Sequence, residues 1–195
     1  KRQVTTMWDV DMSAVLAHRA ANKKAFAAEG VNLTITAYFF EAAVAALRAV
    51  PAANASWTDD GVIIKRDYNI GMAVALPADK YGMGGLIVPV IRNADALPLK
   101  RLAEESGRLA TAARSGKLGL DEMAGGTFSV TALGTAGVHF FTPVINPPNV
   151  AILGVGRIHD AVAWDGDRPV KRQEMTLSLT IDHRAVDGAP GAAFL

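Results

Sequence analysis

A single histidine stands where a buried strand is predicted to end. Residues 175–181 alternate between apolar side chains and the hydroxyls of threonine and serine, and His183 continues the apolar register two residues beyond Ile181. Asp187 follows four residues later, next to a glycine that lets the chain turn. Apolar surroundings keep an imidazole neutral, and a neutral imidazole can take up a proton near pH 7. The pattern predicts either a general base at His183 or a core histidine with satisfied hydrogen bonds, and the spacing alone leaves both open.

A second strand, predicted over residues 127–133, places hydroxyl side chains at alternate positions and is followed by glycines at 134 and 137. A hydroxyl at Thr131 could donate a hydrogen bond to an oxyanion, because glycine allows the backbone to approach a ligand closely. The same alternation is typical of any half-exposed strand. Without further support, the pattern favours an ordinary strand.

Several kinds of chemistry are excluded by residues that the sequence lacks. The absence of cysteine removes disulfides, thiolate metal sites and cysteine nucleophiles. The four histidines lie at least twenty residues apart and form no HExxH motif, so no metal site is predicted. Gly154 and Gly156 lack the third glycine of a dinucleotide-binding fingerprint. Arg184 could bind phosphate, but its position between Asp182 and Asp187 favours a structural ion pair.

Charge and hydropathy narrow the range of partners. Twenty basic residues against nineteen acidic ones give a net charge of +1, which supplies no basic field for a nucleic acid. The most apolar run, residues 37–50, contains Glu41 and Arg48 and is too short to span a membrane. The length of 195 residues suits one domain. We therefore expect neither nucleic acid nor membrane as a partner.

The elements that must position these residues form an irregular mixture of strands and helices. Strand signals cover residues 4–12, 62–64, 70–76, 86–91, 127–133, 150–158 and 173–181, with a glycine-rich loop or hairpin tip at 79–85. Helices are predicted over 14–28 with Ser13 as cap, from a cap at Thr34 or Thr36 to Val50, and over 99–114. The second helix is apolar nearly all round, which predicts deep burial. One α/β or α+β domain with a mixed sheet is expected.

Residues 182–188 match the DHRxxDG signature of the catalytic domain of dihydrolipoyl acyltransferases, the core components of 2-oxoacid dehydrogenase complexes. Further segments resemble the family in the same order along the chain: residues 54–57, 69–75, 85–91, 125–131, 141–148 and 150–156. The resemblance covers nearly the whole chain, which is identified as a member of this family.

The resemblance implies a fold and an assembly. The fold is α/β and similar to chloramphenicol acetyltransferase, a mixed sheet with flanking helices that serves as a trimer building block. Homotrimers assemble into a 24-subunit cube or a 60-subunit dodecahedron, together with the 2-oxoacid decarboxylase and dihydrolipoamide dehydrogenase components. Coenzyme A enters one end of a channel between subunits as a substrate. A lipoyl group on a separate domain enters the other end, and no metal takes part. The expected location is the cytoplasm, or the mitochondrial matrix in a eukaryote.

The resemblance also implies residue roles. His183 matches the general base, Asp187 the acidic or amide residue that supports the site, and Thr131 the position where many relatives have a serine that binds the oxyanion. Phe141 and Leu153 match residues that line the substrate channel. The family pattern places His183 and Thr131 on neighbouring subunits. Acyl transfer between the two thiols then needs no acyl-enzyme, and the local sequence favours an acetyl or branched-chain acyl group.

Some departures from the family pattern bear on these expectations. Residues 1–195 are expected to form the catalytic domain without the basic N-terminal arm, the closing C-terminal helix, or the lipoyl and peripheral-subunit-binding domains. His139 and Phe140 stand in the loop after the Thr131 strand, where they alter the channel. Two alternatives are a catalytically silent core scaffold, which the presence of His183 and Asp187 disfavours, and a stand-alone acetyltransferase for a small molecule, which the long match disfavours.

Overall fold

The sheet that carries the candidate site contains strands of very different length. The computed structural model describes residues 3–78, 80–81 and 84–195. The strands of this part of the chain are β1 (Gln3–Asp11), β2 (Ala55–Thr58), β3 (Gly61–Ile64), β4 (Ile70–Met72), β5 (Val74–Ala75), β6 (Leu86–Ile87), β7 (Val90–Ile91), β8 (Phe128–Ala132), β9 (Ala151–Asp165) and β10 (Arg168–Asp182). The helices are α1 (Ser13–Ala28), α2 (Ile35–Ala49), α3 (Leu99–Arg114) and α4 (Gly188–Phe194).

Six strands form one mixed sheet in the order β1-β10-β9-β8-β4-β7. Strand β8 runs parallel to β4 and to β9, and the other neighbours are antiparallel. Two small hairpins, β2-β3 and β5-β6, stand apart from this sheet. Of the stretch 79–85 predicted as a hairpin tip, positions 79, 82 and 83 lie outside the described residues. The mixed sheet agrees with the expected fold class.

One face of the sheet is covered by helices, and the hydrophobic core lies between them. Helix α2 packs against α1, α3, α4 and β8. The largest fully buried apolar side chains come from these helices and from the strands beneath them: Phe40, Leu47, Ile70, Ile91, Leu102, Leu109, Phe128, Leu179 and Ile181. The other face of the sheet is free of helices and carries the pocket described below.

The sequence predicted deep burial of helix α2 on all sides. In the structure, the helix is buried along one stripe only. Its six buried residues are Ala37, Phe39, Phe40, Ala43, Val44 and Leu47. The opposite side is made mostly of alanines with Glu41 and Arg48, and it is exposed because alanine offers little apolar area to bury. Arg48 pairs with Asp95 at 3.3 Å. No helix among the described residues is long and apolar enough to cross a membrane.

Most predicted boundaries lie within a few residues of the observed ones. The predicted strands 70–76 and 86–91 are each divided, into β4 and β5 and into β6 and β7, and the Ser13 cap and the ends of β9 and β10 also differ. Thr34 caps α2, accepting a hydrogen bond from the Ala37 N–H at 3.3 Å. The predicted cap at Ser13 is wrong: Ser13 is the first residue of α1, and its N–H donates to Asp11 Oδ1 at 2.9 Å. Strand β9 continues beyond residue 158 to Asp165, and β10 begins before residue 173, at Arg168. These extensions form a two-stranded ribbon around Gly166. The ribbon is exposed and charged, so hydrophobic alternation does not mark it.

One buried asparagine ties together the chain segments at the start of β4 and β8. Asn69 Nδ2 donates to the Gly125 carbonyl at 3.1 Å, and Asn69 Oδ1 accepts from the Asn93 N–H at 2.9 Å. The Asn69 N–H donates to the Thr127 hydroxyl at 3.1 Å. These bonds fix where β8 begins, and β8 carries Thr131.

We predict that Asn69→Ala lowers the free energy of unfolding by about 2–4 kcal/mol, because it leaves the Gly125 carbonyl and the Asn93 N–H without their hydrogen-bond partner. Urea unfolding measures the loss. Asn22→Ala is the matched control, since its side chain bonds only the nearby His18 carbonyl on exposed α1; we expect a change within about 0.5 kcal/mol. Equal effects for the two variants would contradict the role given to Asn69.

Candidate active site

His183 lies on a tight turn and not in the strand register that the sequence predicted. Strand β10 ends at Asp182, whose carbonyl accepts from the N–H groups of Ala185 and Val186 at 2.9 and 3.1 Å. Asp182 Oδ1 accepts the Arg184 N–H at 3.1 Å, which helps to close the turn. Within a single chain 44% of the His183 side chain is therefore exposed, so the expected apolar surroundings are absent there.

Arg184 holds this turn against the β2-β3 hairpin. Its Nε and Nη2 donate to the two carboxylate oxygens of Asp182 at 2.9 and 2.6 Å, and its guanidinium lies 4.1 Å from the centre of the Trp57 ring. The hydrogen bond from Arg184 holds the pKa of Asp182 below the ordinary value of 3.8. The ion pair expected for Arg184 is confirmed, with Asp182 as its partner.

Asp187 faces His183 from the start of α4. The separation between His183 Nδ1 and Asp187 Oδ1 is 3.6 Å, which is within ion-pair range but too long for a hydrogen bond. The Asp187 side chain is 81% exposed. Both side chains are open to water in the single chain, which weakens any electrostatic interaction between them.

Thr131 lines a cavity of about 420 Å³ on the helix-free face of the sheet. Thr131 pairs with Gly154 across β8 and β9, and Ser129 pairs with Ile152, so these four residues point to the same side. Within the described parts of the chain, no hydrogen bond occupies the Thr131 hydroxyl. The cavity is lined by Ala73, Leu86, Val88, Ser129, Thr131, Phe141, Pro143, Val144, Ile145, Asn146 and Ile152.

Phe141 lies in the cavity wall, where the resemblance placed it. It rests on Gly154: a Cβ at Gly154 would lie 3.1 Å from Phe141 Cζ and 3.2 Å from Pro143 Cγ. Leu153 does not line the cavity. It pairs with Val130, is 3% exposed and belongs to the core on the helix side. Ile152 takes the wall position, because adjacent residues of a strand face opposite sides.

His183 and Thr131 are not brought together within one chain. The Asp182 N–H donates to the carbonyl of Val150, just before β9, whereas Thr131 lies beside Gly154, about 13 Å further along the strand. His183 does not line the Thr131 cavity. No group of three or more His, Asp or Glu side chains among the described residues is arranged to hold a metal ion. Each chain thus has His183 beyond the end of strand β10 and the Thr131 hydroxyl on the helix-free face of the sheet.

The sequence profile of the 2-oxoacid dehydrogenases acyltransferase (catalytic domain) family matches residues 2–195. The chain belongs to this family. The membership inferred from the DHRxxDG signature and the six further segments is confirmed.

Two curated relatives illustrate the match. The dihydrolipoyllysine-residue acetyltransferase component of the acetoin cleaving system of Bacillus subtilis is 46% identical over 166 residues, covering 85% of this chain and 40% of the relative. The corresponding component of the pyruvate dehydrogenase complex of Cupriavidus necator is 40% identical over 191 residues, covering 98% and 34%. The acyltransferase domain thus spans about two fifths or less of these proteins.

Solved structures share the fold. The dihydrolipoamide acetyltransferase of Azotobacter vinelandii, studied for the roles of a serine, a histidine and an asparagine in catalysis, has a TM-score of 0.93 at 40% identity over 98% of this chain and 77% of its own. The cubic core of the pyruvate dehydrogenase multienzyme complex gives the same values. A chloramphenicol acetyltransferase has a TM-score of 0.60 at 16% identity, covering 100% and 85%. The predicted fold class is confirmed.

A backbone contact holds the loop after β8 against strand β9. The loop after β8 approaches β9 so closely that a Cβ at Gly156 would lie 1.9 Å from the His139 carbonyl oxygen. Val138 accepts a hydrogen bond from the Arg157 N–H at 2.8 Å beside this contact. Only glycine fits at position 156, and this fit holds the loop that carries Phe141.

We expect Gly156→Ala to lower the free energy of unfolding by about 3 kcal/mol or more, because backbone cannot move aside as a side chain can. Gly154→Ala meets the movable Phe141 and Pro143 side chains, and we expect a loss of about 1 kcal/mol. Gly107→Ala in α3 has open space around it and should be neutral or stabilising. Chemical denaturation ranks the three, and a Gly156→Ala protein as stable as Gly107→Ala would refute the contact.

Asp182 should make stability depend on acid. Because its folded pKa is lowered, its carboxylate stabilises the fold above the ordinary value of 3.8, and this contribution is lost as the pH falls through the lowered value. We predict that Asp182→Asn has a lower Tm than the unchanged protein at pH 7 and that the difference narrows below pH 3.8. Asp59→Asn, in the exposed β2-β3 turn, is the control. A difference that stays constant with pH would contradict this assignment.

Proposed function

We propose that this domain transfers an acetyl group between dihydrolipoamide and coenzyme A, with His183 as general base and Thr131 as oxyanion donor. The observation that carries the proposal is the spacing of three residues along the sequence. In the A. vinelandii acetyltransferase, the catalytically studied histidine follows the serine by 52 positions and precedes the asparagine by four. Thr131, His183 and Asp187 have the same two intervals, and Thr131 lies in an apolar cavity with its hydroxyl unoccupied.

The chemistry follows from the groups available. A thiol of pKa about 8.5 is mostly protonated at pH 7, so the attacking thiol gains from a base. Neutral His183 takes the thiol proton, and the sulfur forms a bond to the thioester carbonyl carbon. The Thr131 hydroxyl donates to the resulting oxyanion. The bond to the departing sulfur then breaks, and His183 returns the proton to that sulfur. Both substrates meet directly, so no acyl-enzyme forms.

The site needs two copies of the chain, because His183 and Thr131 lie apart in one. The surface beside the His183 turn supports such a contact: Ile63 and Ile64 on the β2-β3 hairpin are about half exposed, next to Trp57 and Arg184. Closed rotational symmetry repeats one such contact around an axis. We propose a homotrimer as the active unit, and the similarity to a cubic core favours a 24-subunit cube over a 60-subunit assembly.

The acetyl group is favoured over a branched-chain acyl group. The relatives described above are acetyltransferase components, and Phe141 with Pro143 closes one side of the cavity. By the same reasoning the domain works with a dihydrolipoyl group carried on a separate domain, a 2-oxoacid decarboxylase and a dihydrolipoamide dehydrogenase. A silent scaffold role is disfavoured, because the chain retains His183, Asp187 and a hydroxyl at 131.

We predict that His183→Ala lowers kcat by about 10²- to 10⁴-fold and that Thr131→Val lowers it by about 10²- to 10³-fold. Acetyl-CoA-dependent acetylation of dihydrolipoamide measures both. Light scattering should show an unchanged oligomer. His18→Ala, an exposed histidine on α1 hydrogen-bonded to Tyr38, is the matched control and should keep full activity. Near-normal turnover by His183→Ala would refute the assignment of His183 as the general base.

Mixing the two inactive variants tests whether the site is shared. In randomly mixed trimers, about a quarter of the sites combine an intact histidine from one copy with an intact threonine from the next. We therefore expect mixed refolding of His183→Ala with Thr131→Val to restore about a quarter of the activity. Failure to regain activity above that of the separate variants would place both groups in one chain.

A further inference from the structure

Two histidines that are twenty positions apart in the sequence meet beside the Thr131 cavity. The ring centres of His139 and His159 are 4.2 Å apart, with an angle of 65° between the rings. His139 belongs to the loop after β8, and His159 to β9. The Nδ1 atom of His159 is buried and has no hydrogen-bond partner among the residues that the structure describes. The proposed acyl transfer uses neither histidine, and the sequence spacing alone gave no sign of the pair.

The pair lies where the loop is held to the sheet. Val138 is bonded to Arg157, and the His139 carbonyl rests on Gly156. Phe141, two residues beyond His139, enters the cavity wall and contacts Gly154. A movement of the His139 ring away from His159 would therefore be passed through two residues of backbone to Phe141.

We propose that His139 and His159 are positioning residues: their ring contact holds the loop 138–146 on β9 and so fixes how closely Phe141 and Pro143 confine the acyl group. The proposal rests on the proposed acetyl transfer and adds to it a control over acyl size. An edge-to-face contact between two rings stabilises the closed loop by several-fold in population. Without it, the loop relaxes outward and the cavity accepts bulkier acyl groups.

Two substitutions at position 139 isolate the ring contact. His139→Ala removes the ring, whereas His139→Phe keeps a ring that can pack edge to face against His159. We expect His139→Ala to lower the ratio of kcat/KM for acetyl-CoA to that for isobutyryl-CoA by about 3- to 10-fold at pH 7.5. His139→Phe should retain the ratio, and His18→Ala, which lies on α1, should leave it unchanged. A ratio that is the same in His139→Ala as in the unchanged protein would overturn the proposal.

A readout without substrate keeps this proposal distinct from the proposed function. The Arg157 amide is bonded to Val138, so its hydrogen exchange in the assembled protein reports loop opening. We expect exchange about 3- to 10-fold faster in His139→Ala than in His139→Phe. This result, obtained with a protein that transfers no acyl group, would support the pair and refute the proposed function. Equal exchange in both variants would refute the pair, whatever the activity.

Discussion

The close approach between the loop after β8 and strand β9 is the constraint on which the candidate site depends. Two backbones meet at Gly156 with no room for a side chain, and the Arg157–Val138 hydrogen bond locks them together. Thr131 precedes this contact on β8, and Phe141 follows it in the loop. The Thr131 hydroxyl and the Phe141 ring lie on either side of this main-chain contact, which anchors the start of the loop, while side-chain packing sets the position of the rest of the loop.

The other half of the site is positioned in a different way. His183 lies on a turn that is stabilised by the ion pair between Asp182 and Arg184 and by the cation–π contact between Arg184 and Trp57. His183 thus lies beyond the end of β10 and is exposed in the single chain, whereas Thr131 lies on the helix-free face of the sheet. Under the proposed function, catalysis depends on assembly, because a second copy has to bring the two groups together.

Sequence reasoning was most successful where one physical signal dominates. The stripe of α3 and the cap at Thr34 each predicted a helix closely, and the DHRxxDG signature identified the family. Sequence reasoning failed where contacts between distant parts of the chain, or a turn, determine the direction of a side chain. His183 leaves the register of β10 because hydrogen bonds to Asp182 turn the chain, which alternation cannot reveal. Leu153 and Ile152 are both apolar, and only pairing with Val130 and Ser129 shows which one faces the cavity.

Arg184 has a consequence for which substitutions the family can tolerate. Its planar group meets the Asp182 carboxylate with two nitrogens while lying against the Trp57 ring. A lysine keeps the charge but has a single nitrogen and no flat surface, so it cannot satisfy both neighbours at once. The exchange usually regarded as conservative is therefore the one that this position should resist. A substitution at position 184 should therefore also disturb the contact with Trp57, although 127 positions separate the two residues in the chain.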